Sequence, residues 1–249
     1  MPLSAPSPAL ATADADEVAR FTALAEQWWD PAGKFRPLHR FNPARLAFLR
    51  RELCAHFGRD AGALRPFEGL RLADVGCGGG LLSEPLARLG FAVTGLDAGE
   101  RNVAVARLHA EKSGLAVDYR HGGPEDLAAE SFDVIMSMEV IEHVPDPARF
   151  VALAAAALRP GGAFVGATLN RTAKSYVMAV LGAEYVLRWL PPGTHDWKKF
   201  VKPSEFAGHL RAAGVAPRLF RGLEYRPLAD QWRETDCLDV NYLLMGVKD

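Results

Sequence analysis

The sequence predicts an α/β fold with a doubly wound, mainly parallel sheet. From Leu70 to Gly214, short apolar runs of strand type alternate with stretches of helical apolar spacing. This alternation is typical of right-handed strand–helix–strand crossovers, which cover both faces of a parallel sheet with helices. A glycine-rich stretch, DVGCGGG, follows the first strand and precedes the first helix of this series. The last two strand patterns have no helix between them, so we expect those two strands to pair antiparallel.

The pattern predicts seven strands and four intervening or following helices. Gly90 and Gly114 each end a helix, as glycine commonly does. The predicted strands are LRLADVGC, FAVTGLD, VDYRH, FDVIMSMEV, AFVGATLN, PRLFRGLEY and VNYLLMGVK. The predicted helices are LLSEPLARLG, ERNVAVARLHAEKSG, PARFVALAAAALRPGG and PSEFAGHLRAAG.

The remaining segments define the domain organisation. Residues 1–15 are rich in Ala, Ser and Pro and predict a disordered tail, followed by one domain over 16–249. The first part of that domain, 16–66, is a predicted helical cap. In this cap Pro43 is expected to be the first residue of the helix PARLAFLRREL, because proline suits that position. Residues 171–202 form an insertion that the strand–helix alternation does not require.

Composition and charge exclude several classes of function. The chain of 249 residues has a formal net charge of -1, which supplies no basic surface for nucleic acid. Its three cysteines are far apart and have no metal-binding spacing, which fits a reducing compartment. The first residues lack the basic start and apolar core of a secretory signal, and no apolar run reaches the roughly 18 residues of a membrane span. We therefore expect a cytoplasmic protein without nucleic-acid partners.

The glycine-rich loop and two aspartates predict a cationic nucleoside as the ligand. Asp74 precedes Gly76 and Gly78 and would repel a pyrophosphate, and no Walker lysine follows the glycines. S-adenosylmethionine (SAM) has an ammonium and a sulfonium that suit this carboxylate, and helix-start N–H groups can bind its own carboxylate. Asp97 ends the second strand, where an acid accepts from ribose hydroxyls. Because NAD uses the same feature, Asp97 alone leaves a dehydrogenase as an alternative.

Longer motifs carry a family resemblance. The stretch LADVGCGGGLLSEPLARLGFAVTGLD resembles class I SAM-dependent methyltransferases, whose fold is Rossmann-like. The stretches WWDPAGKFRPLHRFNPARLAFL, SMEVIEHVPDP, GTHDWKKFVKP and DVNYLL resemble the ubiquinone-biosynthesis O-methyltransferases, over about Phe21 to Lys248. That resemblance implies O-methylation of polyprenylated catechol-type rings, in both such steps of the pathway. It also implies SAM contacts at Arg45, Gly76, Asp97 and Met138, and places Glu125 near the adenine amino group.

The stretch EVIEH supplies the candidate catalytic residues. If the chain is helical after the fourth strand, Glu139, Glu142 and His143 lie on one face and can converge. A phenol has a pKa near 10, so its ionisation at pH 7 costs about 4 kcal/mol. Either His143 takes the proton as a general base, or all three residues hold a divalent ion such as Mg²⁺ that acidifies the phenol. The family resemblance favours the metal, whereas a helix cap is the purely structural alternative.

The insertion suggests contact with a membrane or closure over the site. Its stretch SYVMAVLGAEYVLRWLP is apolar on more than one face and too short to span a bilayer. It can lie in the membrane interface, which would place the protein peripherally on the inner face, or pack as a lid over the site.

Methylation of another small phenol or carboxylate is the alternative activity, and the oligomeric state is left open.

Overall fold

The computed structural model describes residues 12–178, 196–226 and 231–249, and it forms an α/β fold. The strands are Arg71–Val75 (β1), Ala92–Asp97 (β2), Asp118–His121 (β3), Phe132–Met138 (β4), Leu158–Leu169 (β5), Val215–Arg226 (β6), Gln231–Thr235 (β7) and Asn241–Lys248 (β8). The helices are Ala15–Thr22 (α1), Arg36–His56 (α2), Ser83–Arg88 (α3), Glu100–Lys112 (α4), Pro147–Ala156 (α5), Ala173–Ser175 (α6) and Pro203–Ala212 (α7).

The sheet has the order β3-β2-β1-β4-β5-β8-β6-β7. The strands from β3 to β5 pair in parallel, and β1 lies between β2 and β4. Because the chain order reverses beside β1, the carboxyl ends of β1, β2 and β4 bound the crevice where ligands bind in doubly wound folds. The predicted doubly wound, mainly parallel fold is therefore confirmed.

Helices cover both faces of the sheet because the central strands are apolar on both sides. On one face Leu72, Val134 and Val165 form a core with buried residues of α2 and α3, such as Phe48 and Leu86. On the other face, Ala73, Ile135, Phe164 and their neighbours pack against residues of α5 and α7. Successive residues of a strand point to opposite faces, so these near-continuous apolar runs produce two cores.

The carboxy-terminal half of the sheet is antiparallel, as expected from the missing helix. Strand β8 lies between β5 and β6 and pairs antiparallel with both. Within the described residues the sheet has eight strands rather than the predicted seven, because β7 adds to the edge beside β6. Its sequence QWRET contains no apolar run, and only its pairing with β6 makes it a strand. Polar residues are common on such edges, and Glu234 of β7 pairs with Arg51 of α2 at 2.7 Å.

Two predicted boundaries were wrong. Pro43 lies inside α2 rather than at its start, and Pro37 occupies the first turn instead. The penalty of an internal proline is outweighed by burial of Phe48, Leu49 and other residues along this long helix. Likewise, α5 ends at Ala156 rather than at Pro160-Gly161, and β5 already begins at Leu158 because that residue pairs with Phe132.

The amino-terminal segment and the insertion are each described in part. Two residues of the predicted tail 1–15 make contacts with the fold: Thr12 is buried, and Asp14 caps α1 by accepting from the backbone N–H groups of Asp16 and Glu17. Of the insertion, 171–178 and 196–202 are described, and its middle lies outside the described residues. Among the helices that are described, none combines the length and apolar character needed to cross a membrane.

Candidate active site

A cavity of about 280 Å³ opens at the carboxyl ends of β1, β2 and β4. The glycine loop and the two aspartates line one part, and the residues after β4 line another. Helices α1 and α2 supply much of the remaining wall. The predicted residues that line it are Arg45, Asp74, Gly76, Gly78, Asp97, Met138, Glu139, Glu142 and His143.

Backbone angles and close neighbours require glycine at two positions of the glycine loop. Gly76 and Gly78 have φ angles of +83° and +53°, which side chains rarely adopt. A Cβ added to Gly76 would lie 2.3 Å from a methyl group of Val140, and one on Gly78 would lie 2.6 Å from the Trp28 ring. The loop therefore lies tightly between the segment after β4 and the amino-terminal cap.

Asp97 is held in place by three donors. The backbone N–H of Gly78 donates to Oδ2 over 2.9 Å, and that of Gly99 to Oδ1 over 2.8 Å. The Asn102 side-chain amide donates to Oδ1 over 3.0 Å and accepts from the Trp28 indole N–H over 3.0 Å. Burial raises the pKa of Asp97 despite these hydrogen bonds. The carboxylate is thus fixed at the end of β2, where a ribose would be recognised.

Asp74 is a buried acid with one neutral partner. Its Oδ2 accepts from the Ser83 hydroxyl over 2.6 Å, and the side chain lines the cavity. Burial raises the pKa of Asp74 to about 7, the Ser83 hydrogen bond lowers it, and the nearby Asp97 raises it further. A cationic ligand at this position would favour the charged form of the carboxyl group.

Arg45 forms a buried ion pair with Glu139. The distance from Nη2 of Arg45 to Oε1 of Glu139 is 2.5 Å, and Nη1 donates to Asn42 Oδ1 over 3.0 Å. Burial lowers the pKa of Arg45, whereas Glu139 opposes this effect. Glu139 itself has a φ of +53°, an unfavourable backbone conformation that tends to occur at functional sites.

His143 contacts a carboxylate that the sequence did not reveal. Its Nδ1 lies 3.3 Å from Oε2 of Glu17 in α1. Burial lowers the pKa of His143, but the interactions with Glu17 and Glu142 outweigh burial, so the net pKa is raised. The contact with His143 is the main reason that the pKa of Glu17 falls to about 2. Glu17 precedes every quoted motif, and nothing in its local sequence marks it as part of the site.

Glu142 is buried and its Oε2 has no hydrogen-bond partner. Burial raises its pKa, although the neighbouring His143 opposes this. The chain from Ile141 to His143 is a short 3-10 helix rather than the expected α-helical turn. Glu139, Glu142 and His143 all line one cavity, but they do not share the α-helical face that the sequence predicted.

The described residues contain no group of three or more His, Cys, Asp or Glu side chains arranged to hold a metal ion. Glu139 is engaged by Arg45, and His143 by Glu17. In this arrangement Glu139, Glu142 and His143 do not fit a shared Mg²⁺ ion. The metal set of these three residues stays a prediction.

Met138 and Glu125 differ in their relation to the cavity. Met138, for which the family resemblance implied a contact with SAM, ends β4 and lines the cavity. Glu125 does not line it; its carboxylate accepts from the Thr12 hydroxyl over 2.8 Å and from the Thr12 backbone N–H over 3.3 Å. The structure thus brings together the predicted residues of β1, β2 and β4, and leaves Glu125 bound to the amino-terminal segment.

Comparison with known proteins decides the family. A family model described as a methyltransferase domain matches residues 73–166. The chain is 67% identical to the ubiquinone biosynthesis O-methyltransferase of Paramagnetospirillum magneticum, over 95% of this chain and 96% of that protein. It is 54% identical to the protein of the same name from Parvibaculum lavamentivorans, over 96% and 95%. The chain belongs to the ubiquinone biosynthesis O-methyltransferase family.

Solved structures agree with this family at the level of the fold. The magnesium protoporphyrin IX methyltransferase of Synechocystis, solved with bound SAH, has a TM-score of 0.62 at 17% identity and covers 94% of both chains. A SAM-dependent methyltransferase from Aquifex aeolicus has a TM-score of 0.61 at 15% identity, covering 92% of this chain and 98% of that one. This chain thus has the fold of SAM-dependent methyltransferases. The comparisons do not support the dehydrogenase alternative.

Substitution of Gly80 tests the packing of the glycine loop. Its φ is +86°, and an added Cβ would lie 2.1 Å from the buried hydroxyl oxygen of Tyr119. We expect Gly80→Ala to lower the free energy of unfolding by about 3 kcal/mol or more, because strain and overlap combine. Gly58 has a φ of +61° and nothing within 4 Å of an added Cβ, so Gly58→Ala should cost only about 1 kcal/mol. Urea denaturation measures both, and equal losses would contradict the overlap with Tyr119.

Substitution of Asp74 tests the cost of its burial. The folded-state pKa of Asp74 lies above the ordinary value of 3.8, so folding favours the protonated carboxyl group. The stability that this group contributes is therefore complete below pH 3.8 and is lost as the pH rises towards about 7. The rise from 3.8 to about 7 corresponds to about 4 kcal/mol. We expect Asp74→Asn to unfold at a higher temperature than the wild type at pH 8, and the two to converge near pH 4. A variant less stable at pH 8 would contradict this reasoning.

Proposed function

We propose that this chain transfers the methyl group of SAM to catechol-type hydroxyls of polyprenylated ubiquinone precursors, in both O-methylation steps. The main support is the 67% identity, over 95% of the chain, to a ubiquinone biosynthesis O-methyltransferase. The cavity supports it further, because a site suited to a cationic nucleoside adjoins the half-buried imidazole of His143. Methylation of another small phenol or a carboxylate is the alternative that the assay below separates.

The SAM part of the cavity is assigned by charge and backbone geometry. We propose that Asp97 accepts from the ribose hydroxyls and that Asp74 faces the ammonium group. The loop at Gly76 and Gly78 allows a close approach of the backbone, and its N–H groups suit the SAM carboxylate together with Arg45. Met138 would contact the adenosyl group through its apolar side chain. Glu125 remains a prediction for the adenine amino group, since its carboxylate already accepts from Thr12.

His143 is the proposed proton acceptor. SAM supplies an electrophilic methyl group on a sulfonium, and a neutral phenol is a weak nucleophile for it. We propose that His143 takes the phenolic proton while the oxygen forms the new bond to the methyl carbon. The carbon–sulfur bond breaks and its electron pair stays on sulfur. The buried Glu142 beside His143 would stabilise the imidazolium that results.

The decisive experiment is methyl transfer by the purified chain. With SAM and a prenylated catechol, we expect formation of the mono-O-methyl ether, detected by mass spectrometry. His143→Gln should lower kcat by about 10²- to 10⁴-fold, the usual contribution of a general base. His209→Gln in α7 is the matched control and should leave kcat unchanged. Absence of turnover with any prenylated catechol, alongside turnover of a simple phenol or carboxylate, would refute the proposed acceptor.

The predicted Mg²⁺ requirement has a separate test. Loss of methyl transfer in excess chelator, restored by Mg²⁺, would support the metal set of Glu139, Glu142 and His143. In that case Glu139 would have to leave Arg45, and His143 would have to leave Glu17. Undiminished transfer in excess chelator would leave His143 as a metal-independent base.

We also propose that the insertion at 171–202 contacts the membrane surface. Tyr176, Val177 and Met178 are apolar and exposed, with 43%, 54% and 57% of their surfaces accessible. Lys198 and Lys202 are exposed at the other described end, where they suit anionic headgroups. Contact there would let a polyprenyl tail stay in lipid while the ring enters the cavity. Residues 179–195 of the insertion lie outside the described residues.

Vesicle flotation tests this contact. We expect the wild type to float with vesicles that contain anionic phospholipid, and Val177→Glu with Met178→Glu to reduce the bound fraction several-fold, because charge replaces inserted apolar surface. Leu64 is 91% exposed in a different part of the chain, so Leu64→Glu is the matched control and should float as the wild type does. Equal binding by all three proteins would refute a role for this segment.

A further inference from the structure

Helix α1 is a wall of the cavity, although none of the functional motifs lies in it. Its residues Glu17, Val18 and Phe21 face the same cavity as His143. Glu17 is 8% exposed, which is unusual for a glutamate near the start of a surface helix. Its position is set locally, because the Asp14 side chain caps α1 and accepts from the backbone N–H of Glu17 over 3.3 Å. The buried carboxylate therefore needs partners from elsewhere in the fold.

The carboxylate of Glu17 has two such partners. Oε2 lies 3.3 Å from Nδ1 of His143 in an ion-pair contact without hydrogen-bond geometry, and contacts of this kind often shorten once reactants are bound. Oε1 accepts from Nζ of Lys199 over 3.4 Å. A second residue of α1 also contacts His143, since the Phe21 ring packs edge-on against the imidazole with centroids 5.3 Å apart. Helix α1 thus limits both the position and the rotation of the ring.

A hydrogen bond from Nδ1 to Glu17 would also select a tautomer. A neutral imidazole has one N–H and one bare nitrogen, and a carboxylate accepts only from the N–H. With the hydrogen on Nδ1 facing Glu17, Nε2 is the bare nitrogen and can accept a proton. We propose that Glu17 is a positioning residue that holds His143 in this tautomer and orientation for methyl transfer. This role rests on the proposed function, since it assigns His143 as the proton acceptor.

Lys199 connects the same carboxylate to the insertion. It ends the 3-10 helix Trp197–Lys199, and its Nζ also lies 3.8 Å from Oδ2 of Asp14. Glu17 therefore joins three segments that are remote in sequence: α1, the residues after β4 and the described carboxy-terminal part of the insertion.

Kinetics of Glu17 variants test the positioning role. Glu17→Gln keeps the size of the side chain but loses its charge, and Glu17→Ala removes both. We expect kcat with SAM and a prenylated catechol to fall about 10- to 100-fold in Glu17→Ala, with a smaller fall in Glu17→Gln and the KM for SAM within about twofold of wild type. Glu17→Asp should recover part of kcat. Asp16→Asn removes a charge from the exposed side of the same turn and should behave as wild type.

Nitrogen-15 NMR of His143 gives a readout that does not depend on activity. At a pH where the ring is neutral, the wild type should show a protonated Nδ1 and a bare Nε2, and Glu17→Ala should shift the population towards the other tautomer. Unchanged kcat together with an unchanged tautomer in Glu17→Ala would overturn the proposal. Circular dichroism and thermal melting establish that each variant is folded, and Glu17→Gln replaces Glu17→Ala if the latter is not. If the wild type itself methylated no prenylated catechol, the proposed function would fail while the tautomer still decided the role of Glu17.

Discussion

The parallel pairing of β1 with both β2 and β4 is the constraint on which the site depends. In this register Asp74 lies opposite Gly95 of β2 and Met136 of β4, so the three strands end at one edge. Asp97 and Met138 are the last residues of β2 and β4, and the glycine loop comes directly after β1. A shift of one residue in β1 would turn Asp74 to the opposite face of the sheet and bury an apolar residue of the core in its place.

Burial of charge is the second constraint on the site. Asp74, Arg45 and Glu142 are all buried, and burial is the first cause of the pKa change of each. Their partners satisfy them only in part: a serine hydroxyl for Asp74, Glu139 for Arg45 and none for Oε2 of Glu142. Such incomplete pairing costs stability, and it leaves polar groups able to respond to a charged ligand.

Local patterns predicted the elements that depend on neighbouring residues. Strands β1, β2, β4 and β5 each contain an apolar run, and the glycine loop lies directly after β1, as its spacing predicted. Strand β7 was not predicted, because a strand at the edge of a sheet can be largely polar when it pairs with one neighbouring strand, here β6. The turn after β4 also differs from the prediction, since Glu139 has a left-handed backbone and a 3-10 helix follows it in place of the expected α-helical turn.

By itself the sequence determined the α/β class, the position of the glycine loop and the positions of the aspartates near the ends of β1 and β2. All three depend on local periodicity and spacing. The resemblance of longer motifs added the family. Only the tertiary structure decided which groups face His143. Glu17 and Lys199 lie in segments remote from EVIEH. Glu17 contacts His143, and Lys199 contacts Glu17, only when α1 and the end of the insertion pack against the residues after β4. Contacts of that kind carry no signal in local sequence, since each partner also fits an ordinary solvated helix or loop.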